Sequence, residues 1–195
     1  MLRKGVLFVI SGPSGVGKGT LKKALLENMN DLLSSISVTT REPREGERDG
    51  WDYFFVTEES FEKKIDQGEL LEWARVFSNM YGTPRDFVAS NLEHGQDVLL
   101  EIDVQGALQV KKKMPEAVLI FVAPPSIHEL AMRLTSRAQD SAESISSRLA
   151  ASEDELKQID YYDYLLINDD INDTLAKLES IVSAERCRVK NLELR

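Results

Sequence analysis

The sequence predicts an α/β fold in which a parallel sheet is flanked by helices, and three features of the chain lead to that prediction. Four short apolar runs, at residues 6–10, 98–102, 118–122 and 164–167, have the character of strands buried on both faces of a sheet. Segments with helical periodicity lie between and after them, and a glycine-rich loop directly follows the first run. Strands that alternate with helices in this way are typical of a parallel sheet with helices on its faces.

Amphipathic helices are expected at residues 105–113, 126–138, 144–158 and 174–188, and a further helix at residues 22–29. The helix at 174–188 places Leu175, Leu178, Ile181 and Val182 on one stripe, the spacing of a helix that buries a single face. We find no internal repeat or linker that would divide the chain. With 195 residues, of which 42% are hydrophobic, it is expected to form one domain.

The glycine-rich loop has the composition of a phosphate cradle. Glycines let successive backbone N–H groups point at an anion, the following helix adds the positive end of its dipole, and Lys18 can reach the β- and γ-phosphates of a nucleotide. The loop therefore predicts binding of a nucleoside triphosphate. Its residues are Gly12, Pro13, Ser14, Gly15, Val16, Gly17 and Lys18.

The same loop makes direct binding of a metal ion unexpected. Most such loops continue with a Ser or Thr whose hydroxyl binds Mg²⁺, whereas this chain has Gly19, and Thr20 lies one residue later, about 100° further round the helix. His94 and His128 are well separated and provide no cluster of metal ligands. Cys187 is the only cysteine, which excludes an internal disulfide.

Charge and composition exclude several classes of protein. The net charge of −9 argues against nonspecific binding to nucleic acid or to a membrane surface, because both need a basic face. The longest apolar stretches, such as residues 117–125, fall far short of the roughly 20 residues that cross a bilayer. The apolar run after Arg3 and Lys4 is too short for a secretory signal, so a cytoplasmic protein is expected.

An inserted sub-domain of mixed β and α structure is predicted for residues 37–90. Short strands are expected at 51–56 and 70–77, around a helix at 58–67 that Thr57 caps. This arrangement differs from the regular alternation of the rest of the chain.

A helical lid is predicted for residues 125–156. This segment carries Arg133, Arg137 and Arg148 on helical sequence, so it has the cations needed to close over phosphates. The core of the domain is then made of residues 1–36, 91–124 and 157–195.

A second phosphate site is indicated by Arg41 and Arg44, which lie three residues apart beside Pro43 and are followed by Tyr53. Guanidinium groups form bidentate bonds with phosphate oxygens, and a tyrosine hydroxyl can donate a further bond. Two arginines in a loop can also be merely solvated. The wider sequence decides between these interpretations.

Eight motif stretches, spaced over nearly the whole chain, decide the matter. They are SISVTTREPREGE (35–47), GWDYFF (50–55), EWA (72–74), YGT (81–83), EIDVQG (101–106), APPS (123–126), SRL (147–149) and INDD (167–170). In these stretches the chain resembles the guanylate kinases, a family of nucleoside monophosphate kinases with a phosphate-binding loop. The resemblance implies ATP-dependent phosphorylation of GMP to GDP in purine nucleotide metabolism, with Mg²⁺ as cofactor, a GMP-binding sub-domain at 37–90 and a lid. It also implies that Gly19 is tolerated, since these kinases often carry Gly-Lys-Gly-Thr.

The resemblance implies how guanine is read. Glu72 takes the donor edge of the base, N1–H and N2–H₂, and the hydroxyls of Ser37 and Thr83 lie at O6. A carboxylate suits guanine and repels adenine, which has an acceptor at N1. Glu101 and Asp103 are implied to lie near the guanine and the water shell of Mg²⁺, with the division of those roles left open.

The resemblance also implies how the phosphates are held. Arg41, Arg44, Tyr53 and Tyr81 are ligands of the GMP phosphate, while Lys18, Arg41, Arg137 and Arg148 stabilise charge on the group in transfer. Arg133 assists from the lid, and residues 12–20 bind ATP. Asn168 lies beside the adenine pocket, although it could instead be a turn residue near a helix cap formed by Asp170 or Asn172. No residue is assigned as a direct ligand of Mg²⁺, which ATP carries, and Asp103 is its possible outer-shell partner.

Two alternatives come from different classes of function. The first alternative is a kinase for another nucleoside monophosphate, because the phosphate loop alone does not select the acceptor base. The combination of Glu72 with Ser37 and Thr83 argues against it. A guanylate-kinase-like module that binds protein partners is the other. Such modules typically have a degraded ATP loop, whereas Lys18 and the loop glycines are present here. The oligomeric state is left open.

Overall fold

In the computed structural model, which describes residues 2–136 and 142–193, strands and helices alternate along most of the chain. The strands are β1 (Leu2–Arg3), β2 (Leu7–Ser11), β3 (Leu32–Ser34), β4 (Val38–Thr39), β5 (Phe54–Phe55), β6 (Leu70–Val76), β7 (Asn79–Pro84), β8 (Asp97–Glu101), β9 (Val118–Ala123), β10 (Tyr164–Ile167) and β11 (Leu192–Glu193). The α-helices are α1 (Lys18–Asn28), α2 (Glu58–Asp66), α3 (Arg85–Glu93), α4 (Val104–Lys113), α5 (Ile127–Ser136), α6 (Ala142–Leu156) and α7 (Ile171–Arg186).

Five strands form one parallel sheet in the order β10-β9-β2-β8-β3. The four apolar runs of the sequence correspond to β2, β8, β9 and β10, so the predicted α/β fold with a parallel core is confirmed. Every residue of β2 and β9 is buried, which explains why these strands lack polar alternation. Strand β3 was not predicted, because three residues are too few to show a pattern.

The hydrophobic core lies on both faces of this sheet. On one face, Leu25 of α1 and Leu178 of α7 pack with Phe8 of β2. On the other, Val110 of α4 packs with Val9 of β2. The predicted stripe on α7 is confirmed, since Leu178, Ile181 and Val182 are buried and Leu175 is packed against them.

The helix starts are fixed by side chains that accept hydrogen bonds from the first turn. Thr57 caps α2, as predicted, and Asp170 rather than Asn172 caps α7. Asp103 caps α4 by accepting from the N–H groups of Gln105 and Gly106. Helix α3 was not predicted, because Val88 is its only fully buried residue and its apolar periodicity is correspondingly weak.

A second sheet, in the order β5-β4-β7-β6, lies within residues 38–84. Phe61 of α2 packs against Val38, Leu70 and Met80 to give it a small core of its own. Strands β6 and β7 form a hairpin with a turn at Phe77 and Ser78. The strand expected at 51–56 is reduced to Phe54–Phe55, because residues 51 and 52 form a turn in which Trp51 is 77% exposed.

The predicted lid segment contains helices α5 and α6. Arg137, which was expected to act from this segment, lies outside the described residues. In the two described stretches of the chain, none of the helices has both the length and the apolar character needed to cross a membrane.

Candidate active site

A cavity of about 380 Å³ lies between the glycine-rich loop, the second sheet and helix α6. It brings together residues that are far apart in the sequence and that belong to both predicted phosphate sites. The predicted residues that line it are Gly12, Ser14, Lys18, Ser37, Arg41, Arg44, Tyr53, Glu72, Tyr81, Glu101, Asp103 and Arg148. The remaining predicted residues lie around it or outside the described part of the chain.

The glycine-rich loop leads from β2 into the N-terminus of α1, as a phosphate cradle requires. Gly12 has φ of +137°, and a Cβ atom there would lie 2.1 Å from the carbonyl oxygen of Val122, so only glycine fits. The ammonium group of Lys18 donates hydrogen bonds to the carbonyl oxygens of Gly12 and Pro13, the latter at 3.0 Å. The lysine therefore lies along the loop, and it lines the cavity.

Asn168 is a buried partner of the loop. Its side-chain amide donates to the backbone carbonyl oxygen of Val16 at 2.7 Å, and the backbone carbonyl oxygen of Asn168 accepts from Arg133 at 3.0 Å. A Cβ atom on Gly17 would come within 2.6 Å of the same amide nitrogen. Asn168 thus links the end of β10 to the loop, and neither it nor Arg133 is among the residues that line the cavity.

Glu72 of β6 carries a buried carboxylate, and its two oxygens lie beside different elements of the fold. Only 2% of its surface is exposed, and its Oε1 accepts a hydrogen bond of 2.6 Å from the hydroxyl of Thr83 on β7. Burial raises the pKa of Glu72 to about 7, and the nearby charge of Asp103 adds to the rise, while the Thr83 hydrogen bond opposes it. Its other oxygen lies beside Gly106 of α4, where a Cβ atom would come within 2.4 Å.

Arg41 is held by an acidic residue to which the sequence had assigned no role. Its guanidinium donates to Glu47 at 2.9 Å and lies over the ring of Tyr53, 5.3 Å from the centroid. Glu47 also accepts from the backbone N–H of Arg44 at 2.8 Å. The hydrogen bond to Arg41 lowers the pKa of Glu47, and in turn raises the pKa of Arg41. Tyr53 meets Tyr81 edge-on, with centroids 6.0 Å apart.

Glu101 and Asp103 lie at the end of β8, on the same edge of the sheet as the glycine-rich loop. Glu101 pairs with Lys22 of α1 at 3.1 Å. Asp103 is the cap of α4, and burial raises its pKa, although the N–H groups of Gly106 and Gln105 oppose the rise. A structural role for Asp103 was an alternative at the level of the sequence, in the form of a pair with a core arginine, and the structure shows a helix cap.

The donor set does not form a protein cage for a divalent cation. Thr20 is exposed on α1, and among residues 2–136 and 142–193 there is no group of three or more His, Cys, Asp or Glu side chains able to hold a metal ion. Mg²⁺ in nucleotide sites usually keeps several waters and is bound through substrate phosphates. The residues present fit that arrangement, and Asp103 lines the cavity.

Helix α6 contributes Arg148 and Glu155 to the cavity wall. One guanidinium nitrogen of Arg148 lies 3.5 Å from the Ser14 hydroxyl of the loop, and its Cζ lies 5.6 Å from the ring centroid of Phe77. Burial raises the pKa of Glu155, and the charge of Lys18 opposes that rise. Arg133 of α5 pairs with Glu129 at 3.2 Å.

Sequence reasoning missed Glu47, Phe77, Gly106 and Glu155, all of which line the cavity or contact a residue that does. Glu47 and Gly106 lie inside the motif stretches, and that membership is the signal that could have drawn attention to them. Phe77 and Glu155 gave no such signal. Their proximity to the site depends on how the hairpin and α6 fold back on the loop.

Comparison with known proteins identifies one family. The model of the family described as guanylate kinase matches residues 4–185. The chain is 63% identical over 195 residues to a guanylate kinase of Syntrophomonas wolfei, with both chains fully covered, and 52% identical to one of Caldanaerobacter subterraneus, with 96% of this chain and 91% of the relative covered. Among solved structures, guanylate kinase from Anaplasma phagocytophilum superposes with a TM-score of 0.83 at 36% identity, covering 97% of this chain and 90% of that one.

Proposed function

The chain belongs to the guanylate kinase family and is an ATP:GMP phosphotransferase, and we propose that the residues of its cavity bind GMP beside the phosphates of ATP and align the two for direct transfer. One observation carries this proposal. The buried carboxylate of Glu72 faces the same cavity as Lys18 of the glycine-rich loop. A group suited to guanine and a loop suited to a triphosphate therefore share one space.

Glu72 is the group that reads the base. When ionised, its carboxylate accepts from both the N1–H and the N2–H₂ of guanine, whereas the N1 of adenine offers only an acceptor. The Ser37 hydroxyl lines the cavity and is suited to donate to O6. The Thr83 hydroxyl has a single proton, which it donates to Glu72 in this structure, so we assign it to O6 only after it leaves that bond. A site of such hydrogen bonds can reject an analogue that leaves them unpaired by about 10⁴-fold.

Arg41, Arg44, Tyr53 and Tyr81 bind the phosphate of GMP. Their support is geometric, because all four line the cavity on the side of the second sheet. Glu47 keeps the guanidinium of Arg41 over Tyr53, so the donors are ordered before the substrate arrives. The guanidinium groups of Arg41 and Arg44 neutralise the acceptor phosphate, the two tyrosine hydroxyls donate to it, and one of its oxygens is left directed at ATP.

Transfer needs positioning and charge stabilisation rather than a nucleophilic side chain. An oxygen of the GMP phosphate attacks the γ-phosphorus of ATP, and the bond to the β–γ bridging oxygen breaks to release ADP. Lys18, Arg41 and Arg148 stabilise the charge on the transferring group, and we assign Arg137 and Arg133 to the same task from the lid. Mg²⁺ carried by ATP supplies further neutralisation of the phosphate oxygens, and Asp103 is the residue that would hold a water of its shell.

Closure of residues 37–90 and 125–156 over the core is part of the proposal. Water in the site would hydrolyse ATP, so both substrates must be covered before transfer. The hairpin of the second sheet and helix α6 both contribute to the wall of the cavity, which supports closure of these two parts over it. Asn168 contributes to the ATP site through the loop that it holds.

We also propose a cytoplasmic location without a nucleic-acid partner. The proposal is supported by the substrates, which are cytoplasmic metabolites, and by the net charge of −9, which disfavours contact with a polyanion.

A coupled assay of ADP formation tests the proposed function. The protein is supplied with ATP, Mg²⁺ and, in turn, GMP, AMP, UMP or CMP. Turnover with GMP alone is the expected result. Turnover with another monophosphate would contradict the assignment of Glu72 and Thr83, and the absence of turnover with all four would contradict the transfer reaction and favour a binding module.

A further inference from the structure

The turn of the β6–β7 hairpin contains a residue in an unusual backbone conformation. Phe77 has φ of +55°, in the left-handed region, and within the described residues it is the only residue other than glycine with a positive φ. Val76 pairs with Asn79, so Phe77 and Ser78 form a two-residue turn with a positive φ at its first position. That pattern is typical of a type II′ turn, which favours glycine there.

A large side chain at such a position costs stability, and outliers of this kind concentrate at functional sites. The side chain of Phe77 does not recover the cost by burial in a core, because 55% of the residue is exposed. It lines the cavity instead. We therefore look for the role of Phe77 in the contacts that its aromatic ring makes.

The ring contacts an arginine of the lid. The Cζ atom of Arg148 lies 5.6 Å from the centroid of Phe77, within the range in which a guanidinium is attracted to an aromatic face. The same guanidinium lies 3.5 Å from the Ser14 hydroxyl of the glycine-rich loop. Arg148 is thus held between the loop that takes ATP and the tip of the hairpin.

The hairpin connects Phe77 to the acceptor site. Glu72 lies on β6 and pairs with Thr83 on β7, and Ala74 pairs with Tyr81 in the same antiparallel register. All pairings from Glu72 to Val76 are continuous, so the strands that carry the acceptor residues end at the turn that contacts Arg148. A movement of the acceptor residues therefore moves the ring.

We propose that Phe77 is a positioning residue, which holds the guanidinium of Arg148 over the cavity and makes the alignment of this lid arginine depend on the position of the GMP-binding hairpin. The inference rests on the proposed function, in which Arg148 stabilises the transferring phosphoryl group. Phe77 touches neither reacting atom and acts through Arg148. The tip of the hairpin then has a role distinct from the recognition of guanine.

Steady-state kinetics of Phe77→Leu test the role of the ring. Leucine keeps the apolar bulk and removes the aromatic face, so kcat is expected to fall by about 3-fold to 30-fold, the range that a cation–π contact supplies. The KM for GMP is expected to change by less than about 2-fold, because Glu72 and Thr83 are untouched. Phe77→Tyr keeps the aromatic face and should have the kcat of the unmodified protein. Phe87→Leu, at an exposed phenylalanine of α3 outside the cavity lining, is the matched control and should leave kcat unchanged.

Phe77→Gly separates the ring from the fold. Glycine adopts a positive φ without a penalty, so the melting temperature should not fall, while kcat should fall as it does in Phe77→Leu. A kcat at the level of the unmodified protein in both Phe77→Leu and Phe77→Gly would overturn the proposal.

A double-mutant cycle with Arg148→Ala tests whether Phe77 acts through the arginine. In the Arg148→Ala background, Phe77→Leu should change kcat by less than about 2-fold. An equal fractional loss in both backgrounds would show that Phe77 acts independently of Arg148 and would overturn the inference. The unmodified protein separates the two levels of the account, because its failure to phosphorylate GMP would contradict the proposed function, whereas an active protein that is insensitive to Phe77 would contradict only this inference.

Discussion

Gly106 of α4 lies so close to Glu72 of β6 that a Cβ atom on the glycine would come within 2.4 Å of the Glu72 Oε2 atom. Helix α4 begins at the Asp103 cap, so its first turn is pressed against the carboxylate that we assign to guanine. The Glu72 carboxylate can occupy this position because Gly106 has no side chain.

Gly106→Ala is therefore expected to damage binding of GMP. The added methyl group must displace the Glu72 carboxylate or the start of α4, and the KM for GMP should rise by about 10-fold or more while the KM for ATP changes little. Measurement of both constants checks the prediction. Lys112→Ala, at an exposed position of the same helix, is the control. An unchanged KM for GMP in Gly106→Ala would contradict the assignment of Glu72.

The raised pKa of Glu72 predicts how stability depends on pH. The pKa is about 7 in the folded protein, against 4.5 for an unperturbed glutamate, so folding favours the protonated form. The contribution of Glu72 to stability is complete below pH 4.5 and is lost as the pH rises through 7. Replacement by Gln removes this loss, and Glu72→Gln should gain about 2 kcal/mol at pH 8 relative to its effect at pH 5. Denaturant unfolding of both proteins at the two pH values measures the difference, and equal effects at both would contradict the shift.

Glu47 is expected to act on catalysis through Arg41. Glu47→Gln keeps the size of the side chain and weakens the charged hydrogen bonds to the Arg41 guanidinium and the Arg44 N–H. The value of kcat/KM for GMP should fall by about 5-fold to 20-fold, as expected for loss of a charge-assisted hydrogen bond. Glu45→Gln, exposed in the same loop, serves as the control. A wild-type kcat/KM in Glu47→Gln would mean that Arg41 is ordered without it.

Replacement of Asp97 is expected to lower the stability of the protein without lowering its catalytic rate. Asp97 is fully buried at the start of β8 and accepts hydrogen bonds from Arg3, from Arg186 of α7 at 2.7 Å and from the Val6 N–H at 2.8 Å. Asp97→Asn removes the charge that pairs with Arg3 and one of the two carboxylates that pair with Arg186, the other being Asp31 at 3.0 Å, and should cost about 2–4 kcal/mol. The melting temperature should fall by about 5–15 °C, while kcat below the transition stays unchanged. Asp160→Asn, an exposed residue, is the control.

The core could be predicted from the sequence because its central strands are buried on both faces and appear as continuous apolar runs. The glycine-rich loop could be predicted because the spacing of its glycines and lysine is typical of few local structures. The residues that line the cavity on the side of the second sheet could be anticipated because most of them lie in the motif stretches, while their roles stay predictions. Glu47 escaped prediction although it lies in a motif stretch, since only the fold shows that its carboxylate binds the Arg41 guanidinium. Phe77 escaped because a phenylalanine in a hairpin carries no sign of a left-handed conformation, and its contact with Arg148 joins residues 71 positions apart that only the fold brings together.

The central claim is that Glu72 reads the two donors of guanine, and the preference for GMP over IMP tests it most directly. IMP keeps N1–H and O6 and lacks the exocyclic amine, so it removes one donor to the carboxylate. The unmodified protein should prefer GMP in kcat/KM by about 10-fold to 100-fold, the value of one charged hydrogen bond, and Glu72→Gln should lose most of that preference. An equal preference in both proteins would show that another group reads the amine and would contradict the account.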